Sequence, residues 1–282
     1  MTFAQAEGRD KLPQQLQPRQ ISAQLSAFLW EVFDSSIKDS LWDSNNHPNN
    51  WTYDDPWKNI FRSWWIGRLF ENSDELPTAH RLWQLAKDEL TSRDYVKVFD
   101  FIQWTLRHPD CPSDLAPTIA DVLSGCRSAY RLVDDTILPL STDEEAEAIG
   151  HSLKIAAKMS AAGPSSHLKN ATRALSEGRW SESIRESIHA VEGAGKAIEP
   201  TAKTLGPALA KLRTTIGLNS ALATAFGNLY GYTSDQKGVR HSLVFSSTAD
   251  VGERDALFMF GACAAFVAYL ASAESALDTA ER

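Results

Sequence analysis

Basic charge is what the sequence is shortest of. Lys and Arg number 28 against 36 Asp and Glu, a formal net charge of −8, with 14 basic against 20 acidic residues before residue 141 and 14 against 16 from there on. An acidic surface repels phosphate backbones at long range, which excludes a broad nucleic-acid clamp and confines any such contact to a few cations at one place. Cysteine is scarce too. Cys111, Cys126 and Cys263 are odd in number and have no Cys-x-x-Cys spacing, which argues against a disulfide framework or a zinc cage and fits reduced thiols in the cytoplasm. The opening MTFAQAEGRDKLPQQLQPRQ lacks the apolar core of a signal peptide. Also missing are Gly-x4-Gly-Lys-Ser/Thr, Gly-x-Gly-x-x-Gly after a strand, His-Glu-x-x-His and Gly-x-Ser-x-Gly. NTP hydrolysis, dinucleotide chemistry, zinc proteolysis and serine hydrolysis are thereby disfavoured, and no nucleotide cofactor, other cofactor or metal is expected.

Long apolar runs are nearly absent, with one exception. Residues 256–273, ALFMFGACAAFVAYLASA, carry no charge over 18 positions, at the edge of transmembrane length. Half of them are Ala, Gly or Ser, and no Lys/Arg cluster flanks the run to fix an orientation. A central bundle helix, touched on all sides through small residues, is the expected form, and no membrane association is expected.

What the chain does have is helical periodicity, and the fold class expected is all-α. Ile21, Leu25, Phe28 and Val32, widened by Leu29 and Phe33, predict a helix over 18–40. The polar run SNNHPNNWTYDDPWKN reads as a loop anchored by Trp51, Tyr53 and Trp57. Further helices are expected over 56–70, over 77–91 with Pro77 in the first turn, over 94–107 behind Asp94 as cap, and over 113–130. Eight of the nine tryptophans precede residue 105, which marks an aromatic-cored N-terminal unit, with a base-stacking platform as the alternative use of the rings. Residues 131–140 read as extended or irregular. A capping box from Thr142 to Glu145 then opens a helix expected to stop at Gly163-Pro164. The domain boundary is placed there: 1–140 and 141–282. Helices over 165–177, 181–199, 202–214, 219–232 and 252–279, joined by short connections, predict an antiparallel bundle.

Two places in the second half carry chemistry. On the helix over 181–199, Arg185, His189, Glu192 and Lys196 follow a 4-3-4 spacing and share a strip beside the apolar face. That strip reads either as a solvated, salt-bridged stripe or as one wall of a polar cleft. The segment LYGYTSDQKGVRHSLVFSS adds Tyr232, Asp235, Lys237, Arg240 and His241 at the junction between two helices. Arg240 offers a planar fork for phosphate oxygens and His241 titrates near neutrality, so the pair suits metal-free RNA cleavage. Glu186 and His189 form a single Glu-x-x-His without the second copy a di-iron bundle needs. His47, His80, His108, His151 and His167 are scattered, and structural or solvated roles are expected for them.

The order RESIHAVEGAGKAIE, then FGNLYGYTSDQKGVRHSL, then FMFGACAAFVAYL spans about 90 residues and resembles the HEPN domain at the C-terminus of abortive-infection proteins. The N-terminal half, with PRQISAQLSAFLWEVF followed by the polar aromatic loop, is similar to the N-terminal domain of AbiJ-like proteins. The resemblance implies a dimeric, metal-independent endoribonuclease or RNA-binding module that acts in phage defence and pairs through its C-terminal bundle. With the reading of the residues, Arg240 and His241 are expected to be catalytic, with Lys237, Asp235, Glu192, His189, Arg185, Lys196 and Tyr232 lining the cleft. Many HEPN ribonucleases separate Arg and His by four to six residues. Here the two are adjacent, and Lys237 occupies the position four before His241. The alternative reading is a non-catalytic interaction module that dimerises or binds a partner toxin.

Overall fold

The computed structural model describes residues 3, 7–9, 14–43, 51–53, 56–235 and 251–280. Among these the protein is all-α, with eleven α-helices and two small antiparallel hairpins. It divides into two compact units, Met1–Ala146 and Glu147–Arg282.

The first unit contains α1 (Ala23–Asp39), the hairpin β1 (Leu41–Asp43) and β2 (Trp51–Tyr53), α2 (Trp57–Gly67), α3 (Ala79–Thr91), α4 (Tyr95–Leu106), α5 (Leu115–Gly125) and the hairpin β3 (Arg131–Val133) and β4 (Thr136–Leu138). The expected loop after α1 thus contains one strand, β2, which pairs with β1 just ahead of it, and the stretch expected to be extended or irregular is a hairpin. In α1 the buried positions are Leu25, Leu29, Phe33 and Ile37, while Phe28 is half exposed, so the core stripe is turned from the one the sequence suggests. Thr78 caps α3, its side chain accepting from the Arg81 amide, and Pro77 lies before the helix and not in its first turn. Asp94 caps α4 by accepting from the Val96 amide. Helix α5 ends at Gly125, well before Tyr130, because Arg127 turns into the left-handed region at φ 52°.

Among the described side chains, six tryptophans of this unit serve packing. Trp57 and Trp64 are buried, against Phe33 and Phe61 and against Phe101 respectively. Trp30, Trp65, Trp83 and Trp104 pack partly buried around that core. Each indole N–H of Trp57, Trp65, Trp83 and Trp104 donates to an oxygen, of Ser36, Asn72, Asp34 and Ser63 respectively, as half-buried indoles require.

A nearly buried cation closes the unit. The Arg131 guanidinium donates to Asp143 at 2.5 Å, to the carbonyls of Ser128 and Tyr130 at 2.6 and 3.0 Å, and to the Ser141 carbonyl at 3.1 Å. Ser124 donates to the same carboxylate at 2.5 Å. That hydroxyl first, and then Arg131, hold the Asp143 carboxyl below the ordinary carboxylate range. Replacing Arg131 with Met removes one donor from each of three carbonyls and from a carboxylate, with Gln15 still donating to the Ser128 carbonyl and Ser124 to Asp143, and we expect a loss of about 2–3 kcal/mol of stability. Because the Asp143 value is depressed in the fold, its contribution is present above the ordinary carboxyl value and lost as pH falls through the folded one. Urea unfolding of wild type and Arg131→Met between neutral and acid pH checks both.

Helix α6 (Asp143–Ala156) begins with the capping box: the Glu145 amide donates to Thr142 Oγ1 at 3.2 Å, and the Thr142 amide donates back to the Glu145 carboxylate at 3.3 Å. It ends at Ala156 rather than at Gly163-Pro164. Those two residues instead lie in the first turn of α7 (Ala162–Ser176), where a proline forfeits no helical hydrogen bond. Then come α8 (Trp180–Ile198), α9 (Leu205–Thr215), α10 (Ser220–Asp235) and α11 (Glu253–Ala280).

Helix α8 is the hub of the second unit, packing against α7, α9, α10 and α11. It buries Ile184, Ile188 and Val191 together with the small residues Ser183, Ser187, Ala190, Ala194 and Gly195. Small residues let neighbours approach closely: a Cβ at Gly195 would meet that of Ala208 at 3.3 Å. Helix α11 is long and apolar enough to cross a membrane over Glu253–Leu277, with mean hydropathy 1.9, yet 56% of its most apolar window is buried inside the protein. Ala256, Phe260, Cys263, Val267 and Leu270 face that interior, while Phe258 and Tyr269 are exposed, so the helix is covered on one side and not on all sides as expected.

Helices α7 and α8 form a tight hairpin. The Arg179 amide donates to the Ala174 carbonyl at 2.8 Å and the Gly178 amide to that of Leu175 at 3.3 Å, with Gly178 at φ 72°, the Schellman closure of a helix. A Cβ at Gly178 has ordinary room, 3.5 Å from the Trp180 ring, so the cost of substitution is conformational. Gly178→Ala should lower stability by about 1–2 kcal/mol, read as a lower urea midpoint.

Candidate functional site

The hairpin decides which side chains of α7 and α8 meet. His167 and His189 lie eleven residues on either side of Gly178, so antiparallel packing brings them to the same height. Their rings stand edge to face with centroids 5.4 Å apart. Glu186, one turn from His189 on α8, reaches His167: its Oε2 lies 2.8 Å from Nδ1 of the imidazole. The amide of Asn170, on α7, donates to the same oxygen at 3.4 Å.

These three residues are half-buried, and one donor atom from each lies within 4.8 Å of the other two. Burial acts to raise the Glu186 carboxyl. It is outweighed by the His167 hydrogen bond and charge, the Asn170 amide and the charge on His189, which together hold the carboxyl below its ordinary value. The arrangement is therefore an ionised carboxylate beside two imidazoles, able to pass a proton or to ligate a cation.

The strip expected on α8 is half-buried at all four positions, Arg185, His189, Glu192 and Lys196. Glu192 and Lys196 are joined by an ion pair of 2.7 Å. His189 is turned toward the α7 partner, in company with His167. Tyr232 lies half-buried on α10. Asp235 is the last residue of that helix, and its side chain is outside the described residues, as are Lys237, Arg240 and His241 altogether.

His167 is the residue the sequence reading passed over, having grouped it with the scattered histidines. The signal that finds it is equal separation from the turn glycine, which needs the two helices to be known as one hairpin. His108 and His80 have the structural roles expected: the first accepts from the Asp110 amide at 3.1 Å, the second stacks on Trp83. Burial disfavours the thiolate at all three cysteines. Cys111 is pushed up to about 11, mainly by burial and then by Asp114, and burial pushes Cys263 up to about 12.

Since the depressed Glu186 carboxyl rests chiefly on His167, His167→Ala should raise its titration midpoint. Carboxyl carbon chemical shifts against pH measure this. In the wild type the stability contributed by Glu186 is present above the ordinary carboxyl value and disappears as pH falls through the lower, folded one.

Residues 1–154 match a family described as AbiJ N-terminal domain 4. No curated protein and no solved structure matches the chain.

Proposed function

The chain belongs to the AbiJ N-terminal domain 4 family through residues 1–154, and from that premise we propose that it is an abortive-infection protein whose second unit is a HEPN-type RNA-cleaving effector. Family membership carries the defence half of this reading. The effector half is supported by the order of motifs over residues 185–270 and by the half-buried strip of cations, carboxylate and imidazole on α8.

In this reading a 2′-hydroxyl attacks the neighbouring phosphorus and the 5′-oxygen leaves, giving a 2′,3′-cyclic phosphate and a 5′-hydroxyl. His241 moves a proton at one of these oxygens, and Arg240 holds the charge that develops on the phosphorane. Lys237, Asp235, Arg185, His189, Glu192, Lys196 and Tyr232 line the cleft that receives the phosphodiester. No metal takes part in the cleavage. The three free thiols suit a reducing cytoplasm, and the buried inner face of α11 suits a protein that stays out of the membrane.

The second reading, an interaction module without catalysis, draws on the outer face of α11. Phe258 and Tyr269 are 64% and 43% exposed there, and Ala265 between them is exposed as well. The occupant is a second copy of this chain, which the effector reading also accommodates.

Purified protein incubated with total RNA, with and without EDTA, should yield cyclic-phosphate ends. His241→Ala should lower the rate by about 10²–10⁴-fold. Cells expressing wild type should grow slowly and resist phage, and the Arg240→Ala, His241→Ala double variant should do neither. Absence of cleavage by wild type across several RNAs removes the enzymatic claim. Protection by the double variant, lost on Ala265→Asp, favours the interaction module.

A further inference from the structure

We propose that His167, Glu186 and His189 form a binding site for a divalent first-row transition ion that ties α7 to α8. The site shares His189 with the cleft of the RNA-cleavage reading, but no step of that chemistry passes through it.

The donor set argues for it first. Two imidazoles and one carboxylate are the ligands of open zinc sites and of facial-triad iron sites, and a Glu-x-x-His turn aims both side chains the same way along a helix. Geometry agrees. The three donor atoms fall within 4.8 Å of one another. Tetrahedral bonds of 2.0–2.1 Å place ligand atoms about 3.4 Å apart. The 2.8 Å contact between His167 Nδ1 and Glu186 must therefore open by roughly half an ångström, and no separation need close by more than roughly one and a half; side-chain rotation on a fixed hairpin supplies both. The outer shell is also in place, since the Asn170 amide already orients the carboxylate. The His167 side chain is 38% exposed and that of Glu186 15%, so solvent reaches one side and supplies the remaining ligand. Binding exchanges the imidazole–carboxylate hydrogen bond for two metal bonds, and His167 ligates as a neutral ring, its Nδ1 proton shifting to Nε2 through solvent or, from a charged ring, leaving to water. Affinity must then fall as the histidines protonate in acid.

The test is zinc uptake by the full-length chain, stripped with EDTA, desalted and titrated with Zn²⁺, with bound metal counted by elemental analysis. About one ion per chain is expected, with a higher melting temperature. His167→Gln and His189→Gln should each weaken binding at least tenfold. Glu186→Gln keeps the size and hydrogen bonding of the native side chain, so it loses metal without loss of fold, as circular dichroism will show. Co²⁺ in place of zinc should give visible absorption that vanishes in the same variants. Failure of wild type to retain zinc, or retention unchanged in the Glu186→Gln and His189→Gln proteins, overturns the proposal. Since the readout is metal and not RNA, that failure is distinct from failure of the nuclease reading.

Discussion

Everything in the second unit turns on the register of one helical hairpin. Gly178 lets the chain reverse within three residues, and the reversal fixes which residue of α7 stands opposite which residue of α8. The Ser183 hydroxyl, donating to the Ala171 carbonyl at 2.9 Å, pins that register from within the interface. A slip of one helical turn would move His167 about 5.4 Å along the axis and dissolve its meeting with Glu186. The polar cluster is thus a product of packing, and the small buried residues of α8 are its foundation as much as the imidazoles themselves.

The two units satisfy their polar groups in different ways. In the first, large rings fill the interior and each of four half-buried or buried indoles finds an oxygen, while a single guanidinium gathers three carbonyls and a carboxylate. In the second, alanine, serine and glycine bring helices close, and serine hydroxyls return their hydrogen bonds to backbone carbonyls, as Ser187 does to Ser183. Among the described residues no buried side-chain polar atom is left without a partner, as the cost of burying an unpaired group demands.

The helices were largely legible in the sequence, because 3.6-residue spacing and cap residues are local signals. Asp94 and the Thr142–Glu145 pair cap helices in the expected manner. The misreadings are also physical. Gly163-Pro164 looks like a stop, yet proline is tolerated both after a helix and in its first turn, and only the chain's path separates the two. The stripe on α1 was turned because Phe28 is as apolar as Leu25, and periodicity alone does not say which neighbour faces inward. Of the candidate site, the α8 strip could be read from spacing on one helix. His167 could not, since its place depends on the antiparallel partner. Lys237, Arg240 and His241 fall beyond the described residues, so their convergence with the strip stays with the functional proposal.

The Arg131 clasp has a bearing on how the protein can be divided. The irregular stretch and the capping box after it suggest separating the halves at residue 140, but the carboxylate that neutralises this interior guanidinium belongs to Asp143, at the start of the following helix. A fragment ending at 140 would strand a buried charge, whereas one extended past Asp143 would carry its own counter-ion. The working edge of the N-terminal unit is therefore set by electroneutrality, a few residues downstream of where those local signals would draw it.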